Sequence, residues 1–107
     1  MGPVEFAHAC RQNRDQMLEE YTRKNATSEV ANLIETGAFC NEQRQLLSSI
    51  LATALTEAHY TLLLALDGAA SLGGFQEGFN LTDAGGNVIA NGDGQLEAAA
   101  FEAFQLD

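Results

Sequence analysis

Positive charge is scarce in this chain. Only five of its 107 residues are Lys or Arg, against fifteen Asp or Glu, and the formal net charge is −10. All five cations (Arg11, Arg14, Arg23, Lys24 and Arg44) lie before position 45, and the eight acids after that point have no Lys or Arg among them. A half without cations carries a continuous negative potential. That disfavours nucleic-acid binding, which draws its affinity from Lys and Arg on phosphates. It suits a basic protein partner or a cationic ligand, with acidity for solubility alone as the plain alternative.

Patterns that carry chemistry are also missing. There is no Gly-Lys-Ser/Thr to cradle a phosphate, and Gly92-Asp93-Gly94 would put a carboxylate where a phosphate approaches. His8, Cys10, Cys40 and His59 show no paired ligand spacing, so no metal site is expected. The Asp/Asn/Gly-rich segment from Asp83 to Asp93 fails as a calcium loop, because starting it at Asp83 puts Val88 where the required glycine belongs. Glu57, Asp67 and Glu77 have no spacing that argues for an acid–base pair. The two cysteines lack a Cys-x-x-Cys spacing, and each is expected to be a small buried thiol in a reducing compartment. The N-terminus, MGPVEFAHACRQNRDQ, has neither the basic start nor the apolar run of a signal peptide. A cytoplasmic location and no cofactor are the resulting expectations.

What the chain does have is a long apolar run from Leu46 to Leu66, uninterrupted by glycine or proline and charged only at Glu57. Leu47, Ile50, Leu51, Ala54, Ala58, Leu62 and Ala65 recur at helical spacing. This predicts a central core helix rather than a membrane span, because the run also holds His59, serines and threonines. From His59 to Leu66 it is apolar nearly all round, with Tyr60 and Leu64 opposite the main stripe. The uncovered side should be sealed by the hairpin, by the last helix, or by a second copy in a homodimer through this helix.

The flanking elements follow from local signals. Pro3 suits the first turn of a helix running to about Arg23, with Phe6, Cys10, Met17 and Tyr21 on one face. Ser28 caps a short second helix that ends at Gly37, and Asn41 is expected to cap the long third one. That helix should end at Asp67-Gly68. Eight of the ten glycines then fall between Gly68 and Gly94. Phe79–Asp83 and Val88–Ala90 read as a β-hairpin about an Asp-Ala-Gly-Gly-Asn turn, with a third strand over 69–76 or a partner chain as ways to extend it. Asp93 or Gly94 caps a last helix, Gln95 to Phe104, with a terminal strand as the alternative. The fold class is thus α+β in a single domain, 1–107: three N-terminal helices, a hairpin and a short C-terminal helix.

The segment from His59 to Gly68, followed by the hairpin Phe79–Ala90, resembles small acidic bacterial proteins of the immunity-like and mobile-gene-cassette kind. The likeness covers about residues 41 to 91 and is one of hydrophobic pattern. It implies a non-enzymatic protein that binds and neutralises, or adapts, another protein. The leading expectation is therefore an interaction protein that meets a basic partner through Glu77, Asp83, Asp93, Glu97 and Glu102, chosen for charge and exposure. The alternative is a small-molecule-binding protein or enzyme with a pocket beside His59 and Tyr60.

Overall fold

In a computed structural model, which describes residues 1–106, Pro3 opens α1 (Pro3–Thr22), where its missing N–H costs nothing. Glu5 in the first turn accepts the Gly2 N–H at 2.6 Å. After a turn, the Ser28 hydroxyl accepts the Ala31 N–H at 3.2 Å and caps α2 (Glu29–Gly37). Ala38 closes α2 in the left-handed region, one residue beyond the expected glycine stop. The third helix, α3, spans Asn41–Leu66. Its cap is Cys40, not Asn41: the Gln43 side chain reaches back to accept the Cys40 N–H at 2.9 Å. Cys40 is exposed, contrary to the expected burial, Cys10 is only half-buried, and both thiols are free.

A glycine-rich loop joins α3 to the hairpin. Its neck is the close approach of Gly68 and Gly78, both at positive φ, where a Cβ on either would crowd the other's backbone. Leu72 and Phe75 bond to each other across Gly73-Gly74, so 69–76 makes a tight turn of its own rather than a third strand. The hairpin is shorter than its alternation predicts. β1 (Leu81–Thr82) pairs antiparallel with β2 (Val88–Ala90), with an irregularity between Leu81 and Thr82. The chain closes with α4 (Gln95–Gln105), a helix and not a strand.

The core lies where α1, α4, the hairpin and the end of α3 meet. Leu63 and Leu96 are its largest fully buried side chains, surrounded by Ala7, Ile89, Ala90, Ala99, Ala100, Ala103 and Phe104. Burying each leucine contributes roughly 1.5–3 kcal/mol, and the alanines let the helices approach closely.

The first two-thirds of α3 is not core, and this corrects the expectation drawn from its pattern. Its inward face carries Ala52, Thr56 and His59, which meet α1. The Arg14 guanidinium donates to the Thr56 hydroxyl at 3.1 Å and to the Ala52 carbonyl at 3.3 Å. The anticipated core stripe is split instead: Ala65 is buried and Leu47 and Leu51 are half-buried, whereas Ile50 is 54% exposed, Leu62 48%, and the neighbouring Leu46 64%. Only Leu63 and Ala65 of α3 are buried. Tyr60 and Leu64, expected to be the uncovered side, are half-buried, with Tyr60 packed on Phe104 of α4.

One buried carboxylate ties the C-terminal third together. Asp67, the residue after α3, is 5% exposed. Its two oxygens accept the Gly92 N–H and the Glu97 N–H, each at 3.0 Å. Gly94, the residue preceding α4, has no side chain to cap it, so Asp67 supplies that function from the end of another helix. Asp67→Ala leaves both donors without their acceptor and is expected to destabilise the fold by about 2–3 kcal/mol. Thermal unfolding should show this as a midpoint drop of roughly 10 °C or more, and Asp67→Asn, which keeps one acceptor oxygen, should lose about half as much.

Candidate functional site

The acids proposed from sequence for partner contact do not form one cluster. Glu97 and Glu102 share a surface depression of about 420 Å³ with Tyr60, Gly94, Ala98, Phe101 and Leu106. The helical period explains the arrangement: Glu97 and Phe101, like Ala98 and Glu102, are one turn apart on the outer side of α4. Phe101 is 47% exposed, because Leu96, Ala100 and Phe104 already fill the inward face of α4. Among the described residues, neither Glu97 nor Glu102 is in an ion pair.

Asp93 stands beside this site but is engaged in structure, accepting the Gln95 N–H at 3.0 Å in the first turn of α4. Glu77 is exposed on the loop between α3 and β1, outside the depression. Asp83 is not an open acid, which corrects its choice as an exposed contact. It accepts the Met1 ammonium at 2.9 Å, the Asn87 side-chain amide at 2.9 Å, and the backbone N–H groups of Gly85 and Asn87.

His59 is engaged at both ring nitrogens and on one ring face. Its Nδ1 lies 2.7 Å from the Leu55 carbonyl, which can only accept, so that nitrogen carries the proton. In the neutral ring Nε2 then accepts from the Asn13 side-chain amide at 3.3 Å. Its ring stacks on Phe104 with centroids 6.1 Å apart. His59 and Tyr60 both pack on Phe104, but only Tyr60 lines the depression. A second depression of about 360 Å³, where α1, α2 and α3 converge, includes Arg44 but no carboxylate or imidazole for acid–base chemistry. Among the described residues, no group of three or more His, Cys, Asp or Glu is placed to hold a metal ion. Burial raises the Cys10 thiol above its ordinary value, which disfavours the thiolate form.

Sequence reading missed two structural arginines as well as the Asp67 clamp. Arg14 staples α1 to α3, and Arg11 donates to the Ala103 carbonyl in the last turn of α4 at 2.7 Å. A signal for Asp67 did exist. A carboxylate at the C-terminal end of a helix opposes that helix's own dipole, so its position asks for a partner elsewhere.

Comparison with known proteins matched no family model, no curated protein and no solved structure. The functional reading therefore rests on the side chains themselves.

The hairpin turn should respond to pH at both ends of the Asp83–Met1 pair. Bonds from the Met1 ammonium, and then from Asn87, hold the Asp83 carboxyl well below the usual carboxylate range. Asp83 in return raises the Met1 ammonium above its ordinary value. A lowered acid contributes stability above the unfolded carboxyl pKa and loses it as pH falls, whereas a raised amine loses its contribution as pH climbs past its folded value. The amide signals of Gly85 and Asn87 should thus stay constant through neutral pH in an NMR titration. They should hold steady through about pH 4, where an ordinary Asp titrates, move only at lower pH, and move again above about pH 8 as the Met1 ammonium is lost.

Proposed function

We propose that the protein is a non-enzymatic interaction domain whose α4 face receives a basic, amphipathic segment of a protein partner. The observation that carries this reading is the pairing of Glu97 and Glu102, free of internal cations, around exposed Phe101 and half-buried Tyr60. Lys or Arg head groups of the partner meet the two carboxylates, and its apolar side chains cover the aromatic floor. The rings add cation–π attraction for guanidinium groups. An exposed ion pair contributes no more than about 1 kcal/mol, so the apolar contact must supply much of the affinity while charge supplies choice of partner and encounter rate. Asp93 and the wider acidic half extend the field that steers a cation toward this face. Neutralisation of a basic partner, as the immunity-like resemblance implies, is one form of this reading.

The alternative, a small-molecule or enzyme site beside His59, has less support. Both ring nitrogens are engaged and one ring face is stacked on Phe104.

A short labelled peptide of alternating lysine and leucine pairs, designed as an amphipathic helix, serves as the probe in fluorescence anisotropy. Binding is expected to weaken about tenfold in the Glu97→Gln/Glu102→Gln double variant. Raising salt from about 50 to about 300 mM should weaken it further, since the Debye length shortens. Equal binding of a glutamine-for-lysine peptide, or indifference to salt, would count against the reading.

A further inference from the structure

We propose that the outward face of α3 is the contact face of a symmetric dimer in which the α3 helices of two copies pack antiparallel about Ile50. This goes beyond the α4 reading and is independent of it. The first argument is area. A compact chain of 11.4 kDa exposes about 5,800 Å², and this one exposes 6869 Å². The excess, roughly 1,100 Å², is comparable to the ~800 Å² that each partner buries in a stable interface. The radius of gyration agrees: 16.2 Å is observed, against about 13 Å for a compact chain of this length.

The second argument is charge. In a molecule of net charge −10, two copies can approach only where acids are sparse. Glu57 is the only charged residue between Gln45 and Leu66, so α3 offers that surface.

The third is shape. Leu46 projects beside an open hollow lined by Ser49, Ile50, Thr53, Ala54 and Glu57. A two-fold contact is self-complementary, so each projection must find a hollow in the other copy. Antiparallel packing about Ile50 sets Leu46 against Ala54 and Glu57 against Gln43. The Gln43 side-chain oxygen is already taken by the Cys40 N–H, which leaves its NH₂ to donate to the incoming carboxylate. Parallel packing would instead press Glu57 against Glu57.

A membrane is the competing occupant, since α3 is long and apolar enough to cross one. Glu57, Ser49, Thr53 and Thr61 on the exposed surface, with Arg14 bound on the opposite face, argue for the second copy.

Sedimentation velocity on the full chain, from low to high micromolar concentration, decides between these. The expected species is a dimer. Ile50→Glu should weaken it at least a hundredfold while far-UV circular dichroism stays unchanged, because Ile50 supports no internal core. Val88→Glu, an equally exposed change on the hairpin, should remain dimeric. In a Cys10→Ser/Cys40→Ser background, Ile50→Cys should cross-link under mild oxidation and Leu46→Cys should not. A monomer at all concentrations, an Ile50→Glu dimer as tight as the parent, or flotation of the chain with phosphatidylcholine vesicles would each overturn the proposal. Equal cross-linking at positions 46 and 50 would overturn the antiparallel arrangement.

Discussion

The Asp67 carboxylate fixes the geometry on which the C-terminal half depends. It sits where α3 ends, and its two oxygens hold one N–H at the exit of the hairpin and one in the first turn of α4. A buried carboxylate without a neighbouring cation is costly unless its lone pairs are used, and here the donors are backbone groups of two converging segments. Because α4 begins at that point, Phe104 three turns later falls on His59 and Tyr60. The same placement turns Glu97, Phe101 and Glu102 outward. The proposed partner face is thus a consequence of where a carboxylate ends a different helix.

At the other end of the core the fixed points are cations. Arg11 reaches the last turn of α4 at Ala103, where a positive charge complements the helix dipole. Arg14 binds α3 through Thr56 and Ala52. Two of the five cations are therefore committed to joining α1 to the other helices, which leaves the outer surface more acidic than the net charge alone suggests. Arg14 also explains the orientation of α3. A guanidinium needs oxygen acceptors when it is partly buried, so the face bearing Thr56 and a reachable carbonyl is drawn inward, while Leu46, Ile50 and Leu62 are left to solvent.

The element order and helix limits were legible because caps and breakers are local: Pro3, Ser28, the Asp67-Gly68 stop and the Gly-rich turns each act within a few residues. The hydrophobic period of α3 was legible too, but period says only that a face is apolar, not what will cover it. The inward turn of half-buried Ala52, Thr56 and His59 in preference to Leu46 and Ile50 was not, since it depends on Arg14, more than thirty residues upstream. The outward turn of Phe101 was hidden from the sequence for a related reason. Leu96, Ala100 and Phe104 suffice for the inner face of α4, and only packing decides which aromatic is surplus. Of the acids chosen by charge, Glu97 and Glu102 could not be told from Asp83, whose carboxylate is engaged by the Met1 ammonium and the hairpin turn.

The two proposed contacts bear on one another through charge. Bringing together two molecules of net charge −10 costs repulsion that the α3 face reduces locally but cannot remove. A basic segment seated on α4 lowers that repulsion in both copies, so its binding favours the dimer. By linkage, the dimer must then favour the basic segment by the same factor, a coupling that fades as salt screens the field. Neither effect requires a change of shape. With both proposed contacts in place, the acidic surface and the bare apolar helix would form a single electrostatic arrangement, in which the charge that attracts a partner would also regulate self-association.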